Sequence, residues 1–283
     1  MRKVLVAGAT GYLGGHLVRA LKERGMWVRA LTRHSTVTGL PADDIFRGEV
    51  TQPSSLVGAA SGIDAVMSCI GITRQREGFT YDEVDDRGNA NLLEVAQAEG
   101  ATSFLYVALL HGPELQHLRI AAAKERFVAR LRASGLNSIV VRPTGFFSDM
   151  TEYLSSARKG RVFVVGSGGA RINPISGRDL ANASVDAFLR GEHELEIGGP
   201  RVFTHEEIAK LAFATVGSRA NIWHLPMWAA RAGSRMLRAV TPVQVYGPVE
   251  FFLTVVTRDM VAPAHGQDQL AEFFASPECA PWR

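Results

Sequence analysis

Two cysteines in 283 residues, Cys69 and Cys279, are too few for a disulfide framework, and no second set of ligands stands near either to make a zinc site. Both thiols are expected to be free, one buried and one terminal. A strong charge of one sign is also missing. Lys and Arg total 31 against 28 Asp and Glu, a formal +3, which leaves no sequence-wide surface for nucleic-acid phosphates. Met1-Arg2-Lys3 precedes only four apolar residues before Gly8, too few for a signal-peptide apolar region. No uncharged apolar run is long enough to cross a bilayer, so a cytoplasmic address is the expectation. Internal repeats and low-complexity segments are absent as well.

The chain does have material for a core: 46% of it is hydrophobic and 21% charged, an ordinary globular balance. Its first half alternates two hydrophobic periods. Short apolar runs read as strands at 3–7, 27–32, 44–46, 65–70, 103–108 and 138–142. Helical periodicity lies between them near 12–23, 53–60, 81–99 and 115–134. Such alternation predicts an α/β fold, a doubly wound parallel sheet covered on both faces. After Pro143 the rhythm breaks into short Gly-rich pieces, then helices at 179–190, 204–216, 227–240, 243–256 and 267–275. Thr204 followed by Glu207 forms a capping-box start. The expected division is a large domain of 1–145 plus about 178–198, with a smaller, mostly helical C-terminal lobe of about 146–177 and 199–283.

Between the first strand and helix lies Gly8-Ala9-Thr10-Gly11-Tyr12-Leu13-Gly14. A pyrophosphate needs a tight turn, unobstructed backbone and a helix N-terminus aimed at it, and glycines at three-residue spacing supply all three. The strand before and the amphipathic helix after make dinucleotide binding the best-supported function. Thr32-Arg33-His34 ends the second strand, where an acidic residue would hold the ribose hydroxyls of NAD. Arg33 instead offers a fork for a 2′-phosphate, with Thr32 and Ser35 as hydroxyl donors, so NADP(H) is favoured over NAD(H).

The Gly-x-x-Gly-x-x-Gly spacing, with Asp64-Ala65-Val66-Met67-Ser68-Cys69-Ile70-Gly71 and Arg142-Pro143-Thr144-Gly145-Phe146-Phe147, resembles the atypical short-chain dehydrogenase/reductases. The likeness is greatest to their NmrA-like, isoflavone-reductase-like branch, and covers Val4 to about Arg190. It implies a Rossmann-type fold in which Cys69, Ile70 and Gly71, on to Thr73, run beside the cofactor. The pair Glu49-Val50 would approach the adenine, where the family more often has Asp. Pro143, Thr144, Gly145 and Phe146 would flank the nicotinamide. Asn173 and Asp179 belong to a segment similar to one recurrent in this branch, with a turn and an N-cap as the favoured roles.

The wider family reduces carbonyls with a Ser/Tyr/Lys set. Lys124 matches its lysine, but Ile120 stands where the tyrosine should be, and 106–110 offers no serine. Lys124 is therefore the expected proton-handling residue if desolvation lowers its pKa, or a ribose-binding ammonium if not. His111 and His117 are alternative donors, and Tyr106 is expected in the core. The resemblance implies an NADP(H)-dependent oxidoreductase acting on a small apolar or aromatic substrate. Its alternative is a non-catalytic redox sensor or assembly protein with a regulated protein partner, and sugar-nucleotide epimerisation comes last. In 227–240 a basic face of Arg231, Arg235 and Arg238 adjoins Trp228, Leu237 and Val240. The apolar stripe is expected to pack on the large domain, contact with a membrane surface being the other reading.

Overall fold

The computed structural model describes residues 1–33, 39–72 and 78–279. They form two compact units, Met1–Arg142 with Leu180–Leu195 and Pro143–Asp179 with Glu196–Arg283.

In unit 1, β1 (Lys3–Ala7) leads through the glycine turn into α1 (Tyr12–Glu23), then β2 (Trp27–Thr32), β3 (Asp44–Arg47) and β4 (Ala65–Ser68). There follow α2 (Asn89–Ala98), β5 (Ser103–Val107), α3 (Arg119–Ala133) and β6 (Asn137–Pro143). The chain returns after its excursion through unit 2 with α5 (Gly177–Arg190) and β9 (Glu194–Ile197). The seven strands lie in the order β3-β2-β1-β4-β5-β6-β9, with β1 parallel to both β2 and β4. The inner strands carry consecutive apolar residues because helices cover both sheet faces, and Val4 to Ala7 of β1 are wholly buried, whereas the edge strands β3 and β9 mix charged with apolar residues. α1 buries Leu13, Leu17, Val18 and Leu21 at helical spacing and is closed by Gly25 at φ +70°. The strand order reverses between β1 and β4, so a crevice outside their carboxyl ends is the place where such sheets take ligands. The doubly wound sheet predicted from periodicity is the observed one.

The differences are informative. The helix expected at 53–60 is only a 3-10 turn, Pro53–Leu56. The one expected at 81–99 begins as a π-helical segment, Asp82–Gly88, and becomes α-helical only at Asn89. Wider winding lets Asp85 and Asp86, neighbours in sequence, both turn inward. Cys279 near the terminus is the buried thiol, whereas Cys69 is half-buried.

Unit 2 contains α4 (Thr151–Arg158), β7 (Val162–Val165), β8 (Arg171–Ile172), β10 (Phe203–Thr204), α6 (His205–Thr215), β11 (Ile222–Leu225), α7 (Met227–Val240), α8 (Val243–Val255) and α9 (Leu270–Ala275). Strands β7 and β11 pair in parallel, and β8 with β10 antiparallel. The capping box holds: Thr204 Oγ1 accepts from Glu207 N–H at 3.1 Å, and Glu207 Oε2 accepts from Thr204 N–H at 2.7 Å. Sequence periodicity gave no sign of α4. No residue of α7 is fully buried, and Leu237 of its apolar stripe is half-buried while Trp228 and Val240 are exposed. Among the described residues no helix is long and apolar enough to cross a membrane.

Candidate active site

Each glycine of the turn has its own structural reason. Gly8 sits at φ +84°, where a side chain is strained, and a Cβ there would come 3.0 Å from Cys69 Sγ at the end of β4. Gly11 N–H donates to Gly8 O at 2.9 Å and closes the turn. At Gly14 a Cβ would lie 2.0 Å from Gly8 O, so α1 rests directly on the turn backbone. Gly11 is the N-cap of α1 and brings no side chain to the helix end. Thr10 and Gly11 are exposed, Tyr12 is half-buried edge-on to His16, and Leu13 is core. A helix start at the switch point, cleared of side chains, fits a pyrophosphate.

Arg33 follows β2 with 51% of its side chain exposed, its Nε 3.8 Å from Glu49 Oε2. Glu49 is itself placed by Ser55, whose Oγ accepts from its N–H at 2.9 Å. The Val50 side chain is buried in the core against Gly88, and its carbonyl accepts from Asn91 Nδ2 at 2.8 Å. Ser35 and Thr73, expected near the cofactor, lie outside the described residues.

Beyond β4 the chain passes Cys69 and Ile70 to Gly71, where a Cβ would fall 2.7 Å from both Asp85 Oδ1 and Lys124 Nζ. Lys124, one turn into α3, faces Asp85 of the π-helical segment at 2.8 Å and Tyr106 Oη of β5 at 3.3 Å. Asp85 is fully buried and its Oδ2 accepts from Ile72 N–H at 3.2 Å. Asn89 braces this segment against β4, accepting from Ser68 Oγ at 2.5 Å and donating to the Val84 and Asp85 carbonyls. Burial pushes the Asp85 carboxyl above the usual carboxylate range, and the Lys124 ammonium only partly restores it. Burial pulls Lys124 down, but Asp85 together with Tyr106 outweighs it, so its pKa lies above the ordinary lysine value. This direction is opposite to the lowering that a general acid or base would need. Burial likewise raises the Tyr106 phenol and pushes the Cys69 thiol up to about 12, so both stay neutral.

His111 ends the β5 side of the site in the left-handed region, φ 57° and ψ 21°, with Nδ1 3.4 Å from Glu114 Oε1. This conformation is uncommon for a residue with a side chain and points to a constrained corner. His117 is exposed, and Ile120 is buried in the first turn of α3. Beneath the corner, buried Arg142 binds Glu125 at 2.6 Å, Glu194 at 2.6 Å and the Leu109 carbonyl at 3.0 Å. Gly112 is tight against that cluster, since a Cβ would meet Glu125 Oε1 at 2.1 Å.

In unit 2 the segment after Arg142 is held by its own partners. Thr144 Oγ1 donates to the Asn173 carbonyl at 2.6 Å, Gly145 O accepts from Ile175 N–H at 2.9 Å, and Phe146 N–H donates to Asp149. Pro143 closes β6. Asn173 is a buried clamp, its amide donating to Gly199 and Ala262 carbonyls. Ser176, rather than Asp179, supplies the side-chain cap at the start of α5, while Asp179 Oδ2 receives the Gln267 and Asp268 N–H groups. Sequence reasoning missed Asp85, Asn89 and Glu125. The signal available for the first was a cluster of four acids, Asp82, Glu83, Asp85 and Asp86, around Val84 at the start of a helical pattern.

A family model described as NAD(P)H-binding matches residues 8–190. A divinyl chlorophyllide a 8-vinyl-reductase of Zea mays is 25% identical over 96% of this chain and 78% of its own. The photosystem II assembly factor Ycf39 of Guillardia theta is 25% identical over 79% of this chain and 73% of its own. Among solved structures, an NADPH-dependent quinone oxidoreductase of Escherichia coli complexed with NADPH shares the fold at TM-score 0.67. It has 17% identity, covering 96% of this chain and 98% of that one.

Proposed function

Because the chain belongs to the NAD(P)H-binding family, we propose that it is an NADP(H)-dependent oxidoreductase reducing a small apolar or aromatic substrate without the family's Tyr and Ser. One observation carries the reading. The glycine turn stands at the end of β1 and the Lys124–Asp85 pair stands against Gly71 just past β4, flanking the strand-order reversal. The dihydronicotinamide supplies a hydride when bound. The turn N–H groups would hold the pyrophosphate, Arg33 the 2′-phosphate and Lys124 the ribose hydroxyls. As a held ammonium, Lys124 orients and polarises but keeps its proton near neutrality. Tyr106 lies fully buried beside it and acts as a positioning group. The proton that follows the hydride is then assigned to His111, at the carboxyl end of β5. The names of the Zea mays relative, a reductase, and of the Escherichia coli structure with NADPH support the reading.

Arg33→Ala tests the cofactor choice: losing a charged hydrogen bond to phosphate should weaken NADPH binding roughly 10- to 100-fold while sparing NADH. An equal change for both cofactors, or none, rejects the phosphate role of Arg33. A second reading, a cofactor-responsive assembly or regulatory protein, is favoured by the buried Ile120 at the tyrosine position and by the Guillardia theta relative's name. It requires a partner whose affinity differs between NADPH and NADP⁺, and equal affinities would sink it.

A further inference from the structure

Unit 2 presents an amphipathic helix with an apolar stripe that the described residues leave open to water. On α7, Trp228, Ala232, Met236 and Val240 recur every four residues and so share one stripe. Trp228 is 75% exposed, and Met236 and Val240 are 69% exposed each. Monomeric proteins seldom leave such side chains contiguous and open to water without a use for them. The following helix adds Val245, Val249 and Phe252, exposed at the same kind of spacing.

The charge pattern selects the occupant. Arg231 and Arg235 flank the stripe, and neither has an ion-pair partner among the described residues. From Arg219 to Val249 there are four arginines and no acidic residue. The first acid beyond, Glu250, already holds Arg238 at 3.1 Å. A second copy of this chain would set the unpaired arginines against each other with no local acid to meet them. An anionic bilayer surface answers both halves of the pattern: phosphates for the arginines, and the acyl boundary for Trp228, Met236 and Val240. Tryptophan favours that boundary, and a helix of 14 residues, about 21 Å long, lies along the surface rather than across the membrane.

We propose that α7 docks this protein on an anionic phospholipid surface, its apolar stripe inserted at the headgroup level and Arg231 and Arg235 on the lipid phosphates. The docking does not depend on the cofactor chemistry, so either can fail without the other.

The test is flotation of the full chain with vesicles of equimolar phosphatidylglycerol and phosphatidylcholine, against vesicles of phosphatidylcholine alone, with Trp emission read in parallel. Binding is expected on the anionic vesicles only, with a blue-shifted emission and a fall as salt rises. Arg231→Glu with Arg235→Glu should weaken it at least roughly 25-fold, about fivefold per arginine. Trp228→Ser with Met236→Ser should abolish it. NADPH affinity and far-UV circular dichroism serve as the folding reference for both variants. No flotation, equal flotation on both vesicle types, or flotation indifferent to either pair of substitutions overturns the proposal. So does a dimer in solution that Trp228→Ser with Met236→Ser dissociates while vesicle binding is absent, which assigns the stripe to self-association.

Discussion

Lys124→Met removes the cation facing Asp85 and leaves a side chain of similar reach. The carboxylate it abandons is fully buried, and only 12% of the Lys124 side chain is exposed. Removing one partner of a buried ion pair costs about 3–5 kcal/mol, because the other charge stays behind unpaired. Asp85 can relieve part of that cost by taking up a proton, since burial already pushes its pKa up. A folded carboxyl with a raised pKa contributes most below its unfolded value of about 3.9 and loses that contribution as pH rises. The deficit of the variant relative to wild type should therefore be largest near neutral pH. It should shrink on acidification by up to about 1.4 kcal/mol per pH unit. Asp85→Asn combined with Lys124→Met should recover at least about 2 kcal/mol over Lys124→Met, because Asn keeps an acceptor for the Ile72 N–H without the charge. Urea unfolding followed by Trp fluorescence at about pH 7 and about pH 5 measures each term. Single variants that simply add, with Lys124→Met within about 1 kcal/mol of wild type at both pH values, would refute the coupling. The same arithmetic makes the double variant, not Lys124→Met, the cleaner test of a cofactor-binding ammonium.

Gly14→Ala puts a Cβ 2.0 Å from the Gly8 carbonyl, so α1 must retreat by about 1 Å at a cost of about 1–3 kcal/mol. NADPH affinity should fall by more than about tenfold, whereas Gly15→Ala, whose Cβ meets the tip of Arg19 at 3.4 Å and the Ala9 carbonyl at an ordinary 3.8 Å, should leave it intact; isothermal titration separates the two. His205, buried against Tyr153 at 2.8 Å, has its pKa pulled down to about 4 by burial. Because the unfolded imidazole takes its proton near about pH 6.5, this group's stabilisation is complete above that value and is lost as pH falls towards 4, amounting to about 3 kcal/mol. Thermal melts across this window should show the slope in wild type and its reduction in His205→Phe; parallel curves would contradict the assignment.

What was legible in the sequence was local. The Gly8–Gly14 turn announces itself because strand, glycines and helix are adjacent, and the structure places all of them as the spacing predicts. α7 was legible to the residue at both ends. What its apolar stripe meets was not, because periodicity reports a two-sided helix without saying which side is covered. Asp85 was hidden for a different reason. A helical pattern read at 3.6 residues per turn cannot show a π-helical start, and the partner that explains a buried acid, Lys124, lies 39 positions away in sequence. The pairing of Arg142 with Glu125 escaped likewise, since a charged residue in a strand reads as a strand end until the carboxylate that buries it is located.

The bond between Arg142 and Glu194 spans 52 residues, and most of that interval, Pro143–Asp179, belongs to unit 2. A ribosome adding about 5–20 residues per second takes roughly 3–10 s over the stretch. Throughout that time β6 is the open edge of a growing sheet, and its buried arginine has only one of its two carboxylates. The nascent chain is thus most open to mispairing after the glycine turn and Lys124 have been made but before β9 arrives. A chain ending anywhere between 143 and 193 would carry every residue assigned here to the cofactor turn and still lack the strand that seals its sheet.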